Sequence, residues 1–201
     1  MRVPLFVWFL VPTILIVGAG VWFLTKNPSI LGDKADTGKP VAVSSPVEGT
    51  VDFDIVGREQ IASGTSGSGY NSSPPSSGPH WPNPAKNGVY DDPLPDEQVI
   101  HNMEHGHVWL AYRPNKSGSP SEEGSPEANL KPGVSEEEIS KLKELVNDDD
   151  WKVIMTPRAK NETKIALVAW GRVLKMDEVD YNKIEDFIRT YRNRGPEKTP
   201  E

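Results

Sequence analysis

The stretch Pro95-Asp96-Glu97-Gln98-Val99-Ile100-His101-Asn102-Met103-Glu104-His105-Gly106-His107-Val108-Trp109-Leu110-Ala111-Tyr112-Arg113-Pro114 changes its periodicity at one glycine. Before that glycine, a Pro-Asp-Glu start with Asp96 as cap predicts a short helix from Glu97 to His105, stopped by Gly106. After it, His107 to Arg113 alternates and places Val108, Leu110 and Tyr112 on one face of a strand ending at Pro114. A short helix running straight into a strand points to an α+β domain with a small antiparallel or mixed sheet and two to three helices.

The flanks agree with that class. Val51 to Val56 alternates as a short strand, and Ser135-Glu136-Glu137-Glu138 is a capping box opening a helix to about Asn147, with Ile139, Leu142, Leu145 and Val146 at helical spacing. Trp151 to Thr156 and Ile165 to Met176 read as strands, with Trp109, Trp151 and Trp170 as core residues. Asp180 caps a last helix in which Ile184, Phe187, Ile188 and Tyr191 share a face, closed by Gly195-Pro196. Two long Pro/Gly/Ser-rich stretches interrupt the pattern, Ala62 to Pro95 and Asn115 to Pro132. The first is expected to be ordered, because Tyr70, Trp81 and Tyr90 offer apolar anchors and its prolines stiffen the backbone.

The N-terminus is of another kind. Residues 4–24 carry no charge and are dominated by Leu, Val, Ile, Phe and Trp, and about 20 such residues cross a ~30 Å hydrocarbon core. The organisation expected is therefore a transmembrane anchor over 1–26, a flexible linker over 27–46 and one domain over 47–198. Arg2 beside the amino terminus favours a single pass through the cytoplasmic membrane with the domain outside the cytoplasm. The bilayer is then the partner of residues 4–24, and a net charge of −7 argues against nucleic acid. No protein partner is indicated. No cysteine is present, so a metal would be held by imidazole, carboxylate, amide or thioether.

All four histidines lie between His80 and His107. His101 and His105 are one helical turn apart, the spacing of two ligands for one divalent ion. His80, on the proline-rich loop, would complete a three-histidine set with an open position, as zinc uses. Copper also suits imidazole, although Met103 points away from both helix histidines. Glu104 is a candidate fourth ligand, a base for bound water, or a partner that holds an imidazole tautomer. Three readings stand side by side. One is a metal-binding or interaction module. Another is a small metal-dependent hydrolase with Glu104 as its catalytic base. The third is a structural anchor protein, without a cofactor, whose histidines fasten the loop to backbone carbonyls while Glu104 pairs with His105 or Arg113.

Four segments together resemble a known family. Tyr70-Asn71-Ser72-Ser73-Pro74-Pro75-Ser76-Ser77-Gly78-Pro79-His80, His101-Asn102-Met103-Glu104-His105-Gly106, Ala169-Trp170-Gly171-Arg172 and Tyr191-Arg192-Asn193-Arg194-Gly195-Pro196-Glu197 closely resemble, in order and spacing, the bacterial domain of unknown function numbered 3105. The resemblance implies a membrane-anchored domain outside the cytoplasmic membrane, related to a eukaryotic p53-inducible membrane protein, with no settled activity. It also implies a histidine where this chain has Gln60, so one potential ligand is absent here.

Overall fold

The computed structural model describes residues 40–115 and 132–199. The expected anchor, most of the linker and most of the second long loop lie outside these residues. Among the described residues no helix is long and apolar enough to cross a membrane.

Six strands and three helices are found among the described residues: β1 (Val51–Asp52), β2 (Gly88–Val89), α1 (Asp96–Glu104), β3 (Val108–Tyr112), α2 (Glu136–Asp148), β4 (Val153–Pro157), β5 (Ile165–Ala169), β6 (Arg172–Met176) and α3 (Tyr181–Tyr191). The strands form one mixed sheet in the order β1-β6-β5-β3-β4-β2. β4 runs parallel to β2 and β3, while β3–β5, β5–β6 and β6–β1 are antiparallel.

β3 is central, and both its faces are buried. Val108, Leu110 and Tyr112 pack with Leu142 and Val146 of α2 and Ile184, Phe187 and Tyr191 of α3. Trp109 and Ala111 point the other way, to Val99, Ile100 and Met103 of α1 and to Trp170 and Val168. Tyr70, Ala85, Tyr90 and Leu94 of the first long loop pack against that second cluster. The sheet thus carries α2 and α3 on one face, and α1 with the proline-rich loop on the other. Met103 is fully buried in this core, so its thioether serves packing.

The α2 capping box is present in full, and Asp180 accepts from Lys183 N at 3.0 Å to cap α3. Several expectations change. The α1 cap is Pro95, because the Asp96 carboxylate lies in the first turn and is spent on Arg158 (Nε 3.0 Å, Nη2 2.9 Å) and Lys160 (2.8 Å). Only Val51 and Asp52 of the first expected strand pair with the sheet, while Phe53 and Ile55 lean onto the core from irregular backbone. Ile165 to Met176 is two strands, because Gly171 takes φ +69° and turns the chain back after Trp170. Trp151 is 41 % exposed and lies 5.1 Å from the Arg192 guanidinium, outside the core. The last residues of the segment read as linker lie on the domain: Val41 N donates to Arg194 O, and Val43 packs against the core.

Candidate functional site

The polypeptide enters the site from three directions. Residues 58–61 run beside the end of the proline-rich loop, where Ile61 N donates to His80 O (2.8 Å) and His80 N to Glu59 O (3.0 Å). Pro74 to Gly78 are buried, and Tyr70 donates its hydroxyl to Pro79 O at 2.8 Å, which pins the loop at this rung. α1 supplies His101 and Glu104, three residues apart and hence on one face. The C-terminal segment after α3 closes over the end of α1, where Asn193 N donates to Gly106 O (2.7 Å) and Glu197 N to Glu104 O (3.1 Å). Lys152 donates to the intervening carbonyl, His105 O, at 2.9 Å. Three successive carbonyls that a helix end leaves unpaired are thereby satisfied by remote parts of the chain. Gly106 permits the arrangement, with φ +87° and Asn193 Cα only 2.8 Å from where a Cβ would stand.

His80, His101 and Glu104 converge: one ligand atom from each lies within 4.8 Å of the others. The site is nearly shut, with His80 0 %, His101 5 % and Glu104 3 % exposed. Both imidazoles use Nδ1 in the same way. His80 Nδ1 donates to Gly78 O at 2.9 Å, and His101 Nδ1 to Trp81 O at 2.6 Å. In each ring the Nδ1 proton is spent on a backbone carbonyl, which fixes the ring orientation and is the outer support that metal-bound histidines typically have. The buried His80 Nε2 lies 3.2 Å from Glu104 Oε2, its nearest charged neighbour in the site.

His105 stands beside this group rather than within it. Its ring meets His101 edge-on at 4.6 Å between centroids, and its Nε2 lies 3.3 Å from Glu197 Oε2. His105 is the C-cap of α1, and its backbone N still donates to His101 O at 3.2 Å. Gln60 is exposed, with its backbone bridged to His80.

Two charged residues of the site have no local signature in the sequence. Arg58 donates from Nε to Glu104 Oε1 and from Nη2 to Glu197 Oε1 at 2.7 Å. A closed ring of side chains results: His80, Glu104, Arg58, Glu197, His105, His101 and back to His80 across 5.0 Å between centroids. Glu104 therefore pairs with Arg58 and His80, and not with His105 or Arg113 as the sequence suggested. Arg113 donates to the carbonyls of Asn161, Glu162 and Pro132. Burial alone would raise the Glu104 carboxyl pKa, but His80 and Arg58 overrule it and hold it below the usual carboxylate range. Burial alone would lower His80, yet the Glu104 carboxylate brings it above its ordinary value. His101 is held below its ordinary value, chiefly by burial.

His107 lies apart from the ring. Its Nδ1 meets Asn102 O at 2.9 Å and its Nε2 meets Asn87 Oδ1 at 2.6 Å, so both nitrogens are spent on structure. Burial, with Lys152 repelling a second charge, pushes its pKa down from 6.5 to about 4. Below 6.5 the unfolded chain binds a proton that the folded one refuses, so stability falls with acid between about 6.5 and 4. The loss attributable to this ring approaches about 3 kcal/mol. The urea midpoint should drop across that window, and His107→Gln should flatten the drop. An unchanged slope in the variant would refute the assignment.

The model of the family described as "Protein of unknown function (DUF3105)" matches residues 64–123 and 119–201. No curated protein and no solved structure matches the chain.

Proposed function

The chain belongs to the DUF3105 family of proteins of unknown function, and from that premise we propose that its domain is a divalent-metal-binding module held at the outer face of the cytoplasmic membrane by residues 4–24. The ligands are His80 Nε2, His101 Nε2 and a Glu104 carboxylate oxygen. One observation carries the reading: two buried imidazoles, each fixed by a backbone carbonyl at Nδ1, stand with one buried carboxylate so that a ligand atom from each lies within 4.8 Å of the others. Zinc bonds of ~2.0–2.1 Å place ligand atoms roughly 3.3 Å apart, a spacing His80 Nε2 and Glu104 Oε2 already have at 3.2 Å, so binding has chiefly to draw in His101, whose ligand atom lies within 4.8 Å of both. Two imidazoles and a carboxylate suit zinc first and copper second. His105 is the reserve donor, since its Nδ1 is buried and has no hydrogen-bond partner among the described residues.

The hydrolase alternative draws no support from this geometry. Glu104 is 3 % exposed, and its two oxygens face Arg58 and His80. A base for bound water needs a substrate within hydrogen-bond reach. The structural reading is contained in the proposal, because the same Nδ1–carbonyl bonds fasten the loop. Elemental analysis of the full chain, purified in detergent without an affinity tag, should find roughly one ion per chain, against a small fraction of that in His101→Ala. Equal metal in the two proteins rejects the site. Protease added to intact spheroplasts should cut the domain from outside, and full protection would place it on the other side.

A further inference from the structure

Arg58 occupies the position a bound cation would neutralise. Its guanidinium bridges Glu104 and Glu197, and these three groups sum to one negative charge. The bridge lies at the boundary of the site: the Glu104 side chain is 4 % exposed, that of Arg58 26 % and that of Glu197 44 %. Building on the metal reading above, we infer that Arg58 is a resident counter-ion that an incoming divalent cation must displace from Glu104, so that this residue sets the affinity of the site.

The physical case is one of like charges. A divalent ion held by His80, His101 and Glu104 would share a carboxylate with a guanidinium, in a pocket whose burial weakens screening. The exchange needs little movement. Arg58 releases Glu104 and keeps its 2.7 Å pair with Glu197, which already reaches solvent, so neither cation nor anion is left buried alone. Glu104 then offers its carboxylate to the ion. Arg58 sits one residue past Gly57 on irregular backbone, where a change of side-chain direction disturbs no helix or strand.

Zinc affinity of the detergent-solubilised full chain, measured by competition with a chromophoric chelator, tests the inference. Arg58→Gln removes the competing charge and should bind zinc about tenfold tighter or more, whereas Arg58→Lys keeps the charge and should stay within about threefold of the natural protein. Equal or weaker binding by Arg58→Gln, with the natural chain binding zinc, overturns the counter-ion role and leaves the metal site standing. No zinc bound by any of the three overturns the metal reading and this inference together. The natural protein supplies a measurement that needs no variant. Phenylglyoxal labelling read by peptide mass should reach Arg58 at least about threefold faster once zinc is bound, and a rate that is unchanged or slower refutes displacement.

Discussion

Glu104→Gln is expected to weaken zinc binding by about 100-fold or more while leaving the domain folded. Replacing an outer partner of a metal ligand costs 10–100-fold, and here the altered group is the sole carboxylate among the three proposed donors. The amide preserves volume in a site that is 3 % exposed, so no cavity opens. The metal-free protein should also lose about 2 kcal/mol, because Arg58 surrenders a charge-assisted hydrogen bond and His80 its neighbouring anion. The same substitution separates the rival chemistries. A hydrolase using Glu104 only as a base would keep its metal in Glu104→Gln and lose turnover. Retained metal at natural affinity would therefore sink the ligand assignment. The stability change is read from urea midpoints in the presence of a chelator.

The second large effect is steric. Gly195→Ala should destabilise the protein by about 3 kcal/mol or more, a fall in melting temperature of about 6–12 °C for a chain of this size. A Cβ at this position would stand 2.2 Å from Glu104 O, 2.4 Å from Gly106 N and 2.7 Å from Met103 O. All three are backbone atoms of the α1 terminus, and none can rotate aside as a side chain would. Relief requires lifting the segment that carries Asn193 and Glu197, which breaks the bonds to Gly106 O and Glu104 O. Scanning calorimetry measures the loss. A shift below about 2 °C would mean that this segment docks more loosely than its distances imply.

Much of the fold is legible in the chain because its signals are local. The Ser135 capping box, the Asp180 cap, and the change from helical to alternating periodicity at Gly106 each involve residues within a turn of one another. The same holds for His101 and Glu104, which α1 places on one face by arithmetic. His80 is legible as a loop histidine on a braced backbone, but its partner in space is not. Arg58 and Glu197 escape notice because their pairing joins points 139 residues apart, and nothing near either residue announces the other. Asp96 misleads for a related reason: its position favours a cap, yet Arg158, distant in sequence, offers two hydrogen bonds in place of one. The resemblance included Glu197 inside its last motif, which is the one signal that could have drawn attention to that residue.

The sheet has a consequence for crowding. Its outermost strands, Val51–Asp52 and Gly88–Val89, are two residues long, so neither presents a ladder on which a neighbouring polypeptide could extend. The next strand inward from Val51, Arg172–Met176, carries the exposed Lys175, a charge unwelcome in a cross-strand seam. Abbreviated borders of this kind let neighbouring copies collide without a strand-to-strand seam forming between them.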